Sequence, residues 1–324
     1  MTNSKRHTTR QLDLWTEQFP TTEAPTGQDV PEIRIDKDRP GAMPKALVPK
    51  DASLTLLNSY SYKASEMGRL LNAVLDIGKI EHGADESVAR IIGLPREKAK
   101  SMLRSAREFH LIRTKPLSLT PFGCLLQVKD PFFDRIGTLW LLHYLIASDA
   151  SVVSWSFLFD SLAFTTPTVK PAVGGREYQR AFEGIWGEYS LQDRVPKEIT
   201  AIFRIYSTEM FRPLGLVDKV SLGTYRFLRK PTPVPPLIVL AAMLIFRDRY
   251  YPGATTLEIP LLLESHFSPG RIMAQQEGAI RKALDELHAK RVITVEAKAD
   301  LDQVRFKEQI TWLDAIRLYL EGEG

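Results

Sequence analysis

A single cysteine, Cys124, in a chain of 324 residues excludes an internal disulfide framework and any zinc site built from several cysteines. The six histidines are scattered. His7, His82, His110, His143, His266 and His288 stand singly, and no two have a metal-ligand spacing. The loops that cradle phosphates or present a nucleophile are missing as well: GxxxxGK[ST], GxGxxG and GxSxG do not occur. Long apolar runs are absent. The longest, Leu237 to Phe246, has ten residues, between Pro235-Pro236 and Arg247-Asp248-Arg249. A bilayer needs about 20 apolar residues, so this run reads as a buried helix. The opening MTNSKRHTTRQLDLW lacks the apolar stretch of a signal peptide, and a reducing cytoplasmic setting fits.

One catalytic pattern occurs. Glu296-Ala297-Lys298 has the E-x-K spacing of some metal-dependent nucleases, in which a carboxylate holds Mg²⁺ and a lysine assists the water. The tripeptide is common by chance, and the strand aspartate that normally precedes it is not evident. Cys124 reads as an inert core thiol and His143 as a packed core histidine. We therefore expect no enzyme, no cofactor and no metal.

What is present is ordinary globular composition, 44% hydrophobic and 25% charged, with a net charge of +4. Such a length suggests two domains and a tail. Residues 1–50 hold six of the 21 prolines, with eight basic and seven acidic residues, and read as an extended arm. Within it, Leu12, Leu14, Trp15 and Phe19 suit either a tail folded back on its own body or a docking peptide.

The 3.6-residue periodicity then predicts helices over 63–82 and 86–92, a Gly93-Leu94-Pro95 turn, and a helix from Pro95 to about Phe109. Leu111-Ile112-Arg113 and Leu117-Ser118-Leu119 form a minimal two-strand wing, and Thr120-Pro121 opens another helix. This order is that of a winged helix-turn-helix. Residues 132–164 read as two packed apolar helices joined near Ser148–Ser151. Residues 165–175 form a boundary loop, with helices expected at about 176–189, 196–211 and 235–250. Residues 256–265 read as a short helix, 275–290 as a longer one, Val292–Glu296 and Gln303–Lys307 as a hairpin, and Trp312–Leu320 as the last helix. The expected fold is mainly α with small β-hairpins: winged helix-turn-helix units around an all-helical core. The expected divisions are an arm (1–53), a winged-helix-like domain with an apolar helical core (54–165), a helical linker domain (166–254) and a second winged-helix-like domain (255–324).

Charge is concentrated in one place. Residues 86–115 hold eight Lys or Arg against three Glu. On a helical wheel Arg96, Lys100, Arg104 and Arg107 fall within an arc of roughly 80°, beside an apolar arc of Ala99, Met102, Leu103, Ala106 and Phe109. The basic arc could neutralise DNA phosphates, with Ser101, Ser105 and Lys115 adding contacts. The other readings are a protein-docking face and a plain solvated face. In the second unit Arg281, Lys282, Lys290 and Arg291 are interspersed with Glu277, Asp285 and Glu286, which suits a second DNA or partner surface.

Several segments are together familiar: Leu119-Thr120-Pro121-Phe122-Gly123, Asp130-Pro131-Phe132-Phe133, Gly137-Thr138-Leu139-Trp140-Leu141-Leu142-His143-Tyr144, the Trp155–Phe159 cluster and the Phe267-Ser268-Pro269-Gly270 turn. Over roughly residues 54–320 the chain resembles the bacterial family known as domain of unknown function 4007. It departs from the family near the domain start, where a His-Glu-Thr-Phe segment is replaced by Asn58-Ser59-Tyr60-Ser61-Tyr62-Lys63. Family members tend to be encoded beside DNA phosphorothioation and phage-defence genes. The resemblance thus implies a DNA-directed accessory role and supplies no catalytic residues. The expected function is a non-catalytic, double-stranded-DNA-binding component of a bacterial DNA-modification or phage-defence system, working with other subunits. The alternative is an adaptor whose winged helices assemble such subunits without touching DNA.

Overall fold

The computed structural model describes residues 55–78, 83–171, 194–298, 301–307 and 309–322. The described residues all belong to one compact unit. The expected arm, with Leu12, Leu14, Trp15 and Phe19, and the helix expected at 176–189 lie outside the described residues.

The element order begins with three helices, α1 (Ala64–Ile77), α2 (Ala84–Ile92) and α3 (Arg96–Glu108). Two short antiparallel strands follow, β1 (Ile112–Thr114) and β2 (Leu117–Leu119), with Ile112 opposite Leu119. Helix α4 (Pro121–Lys129) starts where the Thr120 hydroxyl caps the Gly123 N–H at 3.0 Å. The central helix α5 (Ile136–Ala147) has every residue from Gly137 to Ala147 buried. Helix α6 starts at Val153–Ser156, widens into a π-helical stretch at Phe157–Leu162 and returns to α geometry at Ala163–Thr165.

The periodicity reading missed the next sheet. Strand β3 (Thr168–Val169) lies in the expected boundary loop and pairs with β5 (Thr224–Phe227), which also pairs with β4 (Val217–Ser221). Between β3 and β4 runs α7 (Arg194–Ser207). Helix α8 (Pro236–Tyr250) contains the long apolar run, and all of Leu237–Phe246 is buried. The segment expected as a helix from 256 instead begins with strand β6 (Thr256–Glu258) and becomes α9 only at Ile259–Glu264. The reason is tertiary: β6 is covered by β8, with Leu257 opposite Val304. Helices α10 (Pro269–Ile272) and α11 (Glu277–Ala289) precede strands β7 (Ile293–Lys298) and β8 (Leu301–Phe306), and α12 (Trp312–Glu321) follows. The sheet order is β6-β8-β7. Buried apolar side chains from 54–165, 166–254 and 255–324 all belong to one continuous cluster. No helix among the described residues is long and apolar enough to cross a membrane.

Two contacts hold the layers in register. At Gly137, α5 meets α12 so closely that a Cβ would lie 2.4 Å from the Tyr319 ring and 2.8 Å from Ile238. The Tyr319 hydroxyl accepts the Gly137 N–H at 3.0 Å. The second contact is a buried carboxylate. Glu198 of α7 accepts the N–H groups of Leu56 (2.7 Å), Leu57 (2.8 Å) and Asn58 (3.1 Å). Burial pushes its carboxyl up to about 7, while the three N–H donors and nearby Arg104 restrain the rise.

Gly137→Ala should therefore lower stability by about 1–3 kcal/mol through overpacking, measured by urea unfolding; an unchanged midpoint would show that α12 yields freely. For Glu198, the native state retains a proton that the unfolded chain has released between its ordinary value and about 7. Its stabilisation is thus greatest at low pH and is lost as pH rises through that window. The stability advantage of the parent over Glu198→Gln should shrink by roughly 2–3 kcal/mol between pH 5 and pH 8. A pH-independent difference would contradict this.

Candidate nucleic-acid interface

Helix α3 buries Ala99, Met102, Leu103 and Ala106 and turns its other side outward. Arg96 and Arg107 are exposed, with side chains 61% and 51% accessible. Lys100 and Arg104 are half-buried along the same side. The four do not present equal charge. Arg96 Nε lies 2.9 Å from Asp85 Oδ2, and this hydrogen bond holds the Asp85 carboxyl below its ordinary value. Arg107 Nε donates to its neighbour Glu108 at 2.8 Å. Arg104 is within electrostatic reach of Glu198. Lys100 has no ion-pair partner among the described residues. Arg113 on β1 and Lys115 at the hairpin turn are both exposed. The hairpin is fixed to α3 by the Thr120 hydroxyl, which donates to the His110 carbonyl at 2.5 Å.

Ser101 requires a correction. It is fully buried and points into the core, so it cannot reach a phosphate from this position. Its backbone carbonyl accepts the hydroxyl of Ser105, also fully buried, at 3.1 Å. A wheel of 100° per residue placed both serines at the border of the basic arc; α1 and the 55–62 segment close over that border, which only the tertiary packing reveals.

The second surface is split. Arg281 is gripped by Glu277 at 2.7 Å and, through both terminal nitrogens, by Asp302 at 3.1 and 2.7 Å. Its charge is thus spent within the fold. Lys282, Lys290 and Arg291 are exposed. Lys282 borders an apolar groove of about 470 Å³ between the Pro233–Pro236 segment and α11.

Glu296 accepts from Arg305 at 2.8 Å and Gln303 at 2.5 Å, and Asp302 is held by Arg281. Among the described residues no group of three metal-ligating side chains converges.

His143 is the packed core histidine that the sequence suggested; its polar partners, and a second core cluster around Asp160, escaped the sequence reading. His143 Nε2 donates to the Ile272 carbonyl at 3.0 Å, so Nδ1 is the acceptor for the Tyr206 hydroxyl at 2.5 Å. Burial pushes this imidazole down to about 4, and it stays neutral at pH 7. Asp160, fully buried in the π stretch, accepts the Phe267 N–H at 2.7 Å and contacts His266 Nδ1 at 2.5 Å and Arg271 Nε at 3.1 Å. An Asp–His pair is the orienting half of a nucleophile triad. No hydroxyl or thiol lies within hydrogen-bond reach of the free imidazole nitrogen among the described residues, and the cluster acts as a clamp between α6 and the 266–271 turn. No sequence signal short of pairing residues over 100 positions apart could have found it.

Comparison with known proteins agrees with the apolar and turn segments described above. The family model described as "Protein of unknown function (DUF4007)" matches residues 85–318. The chain belongs to the DUF4007 family. Two solved structures share its fold. A magnesium ion-bound SspB is 19% identical with a TM-score of 0.70, covering 87% of this chain and 90% of that one. A second SspB structure is 18% identical with a TM-score of 0.67, covering 84% and 88%. No curated protein matches the sequence.

Because the Ser101 hydroxyl has no hydrogen-bond partner among the described residues, Ser101→Ala should leave stability unchanged or raise it by up to about 1 kcal/mol, measured by urea unfolding. A clear loss of stability would show that the hydroxyl has a partner in solution.

Proposed function

We propose that this protein is a non-catalytic, cytoplasmic component of a bacterial DNA-modification or phage-defence system that binds double-stranded DNA through α3. In this reading residues 64–119 act as a winged helix-turn-helix unit: α3 lies in the major groove, and the β1–β2 hairpin contacts the backbone as the wing. The observation that carries it is the set of outward-facing cations. Arg96, Lys100, Arg104 and Arg107 share one side of α3, and Arg113 and Lys115 extend that charge onto the hairpin. Long cationic side chains on a helix flanked by a short hairpin suit phosphate neutralisation without demanding a particular base sequence.

The second unit supports a complementary role. The order helix, strand, two helix segments, helix, two strands over α8–β8, with β6 beside β8, is compatible with another winged helix. Its α11 surface carries mixed charge and borders an apolar groove, which favours a partner subunit over a polyanion there. An adaptor without DNA contact is the second reading, and the ion pairs of Arg96 and Arg107 favour it.

Salt-dependent duplex binding separates the two. The parent should bind a random-sequence duplex at low salt and lose affinity steeply as salt rises. The Arg96, Lys100, Arg104 and Arg107→Ala quadruple variant should bind at least tenfold more weakly, with a salt slope reduced by about 2–4, while retaining its cooperative melt. Parent-like binding by the variant would remove α3 from the interface, and absence of parent binding at low salt would leave the adaptor reading.

A further inference from the structure

The hairpin joining β4 to β5 carries a feature that the α3 reading does not use. Leu222 at its tip is 93% exposed, and Val220 beside it is 52% exposed. The connection is as short as a hairpin allows: Ser221 pairs with Thr224, leaving Leu222 and Gly223 as the turn. Gly223 takes φ +67°, the left-handed conformation such a turn requires of one residue. The preceding turn position commonly carries Pro. Here it carries a large apolar side chain with nothing covering it among the described residues. A register shift between Lys219 and Ser221 marks a bulge at Val220, a device that re-aims side chains at functional edges.

The base of the hairpin is rigid where its tip is bare. Val217, Tyr225 and Phe227 are buried. Tyr225 stacks on Phe203 at 4.9 Å and 13°, and Phe227 meets Phe159 edge-on at 6.0 Å. The hairpin is cationic along its length and just beyond its base. Lys219, Arg226, Arg229 and Lys230 are all exposed. The single acid in 217–230, Asp218, pairs with Arg226 at 3.1 Å, and the other three cations have no ion-pair partner among the described residues. A stiff apolar tip on a hairpin that carries cations, Lys219 near the tip and Arg229 and Lys230 beyond its base, is complementary to a surface that is anionic outside and apolar just within. In a DNA duplex, phosphates flank a groove floored by the edges of stacked bases. A lipid surface has the same layering, but one leucine and one valine bury too little area to anchor on it.

We propose that the β4–β5 hairpin is a second, duplex-deforming contact. Leu222 enters the minor groove and partly unstacks one base step, while Lys219 holds a phosphate beside that step and Arg229 and Lys230, about 20 Å away at the base of the hairpin, hold phosphates further along the duplex. The proposal rests on the DNA-binding reading above but uses none of its residues.

The test uses the full chain and a set of short duplexes with 2-aminopurine at successive positions, including pyrimidine–purine steps, which unstack most readily. Binding of the parent should raise the 2-aminopurine fluorescence at one or more positions. Leu222→Ala should bind within about threefold of the parent yet abolish the rise, and Leu222→Phe should restore it. Lys219, Arg229 and Lys230→Ala together should weaken binding at least tenfold and reduce the salt slope by about 2–3. Leu222 and the three cations are surface residues, so parent-like melting is expected of every variant. The α3 quadruple variant, driven to saturation, should still give the Leu222-dependent rise. A parent that binds duplex with no rise, or with a rise indifferent to Leu222, overturns this inference and leaves the α3 reading standing. A parent that binds no duplex at low salt overturns both. Leu222-dependent binding to phosphatidylserine–phosphatidylcholine vesicles, without any fluorescence response on duplex, reassigns the hairpin to membranes.

Discussion

Helices α5 and α8 are apolar on every side, and a helix that is apolar all round must be covered all round. Of α5, every residue from Gly137 onward is buried; of α8, the whole of Leu237–Phe246 is buried. The rest of the fold follows from that requirement. Helix α12 closes on α5 at Gly137, where only a hydrogen in place of a side chain admits the Tyr319 ring. Aromatic side chains from α3, α6 and α7 fill the adjoining layer, with Phe109, Trp155 and Tyr206 all in ring contact with Phe211. Elements distant in sequence thereby share one core.

Such a core can admit polar groups only where each finds a partner. His143 uses both ring nitrogens, on Tyr206 and on Ile272. Asp160 spans the π stretch and the 266–271 turn, and Glu198 gathers the N–H groups of Leu56, Leu57 and Asn58. These are cross-links between layers. His143 and Glu198 also pull in opposite directions on acidification. The histidine disfavours the native state as it must charge, and the glutamic acid favours it as it retains its proton.

Function, on our reading, is left to the periphery. The α3 face, the β1–β2 hairpin and the β4–β5 hairpin all carry exposed cations on frames held by the core. Only part of that charge is available. Arg96 and Arg107 divide theirs with neighbouring carboxylates, whereas Lys219, Arg229 and Lys230 have no such partners among the described residues. The mildly basic net charge of the chain conceals this unevenness.

By itself the sequence determined whatever depends on neighbours a few residues apart. The helices from Ala64 to Glu108, the strand pair after them, the buried nature of α5 and α8, and the basic side of α3 all follow from periodicity and turn chemistry, and the family membership followed from contiguous segments. Only the tertiary structure decided the rest. Strand β6 reads locally as the start of a helix until β8 pairs with it, and β3, two residues long, exists only because β5 lies alongside. Ser101 sits at the edge of the basic arc on a wheel and inside the core in space. Arg281 has a neighbour in Glu277 on its own helix, but its two terminal nitrogens are taken by Asp302, twenty-one positions away. In each case the deciding partner is remote along the chain, and local propensity contains no term for it.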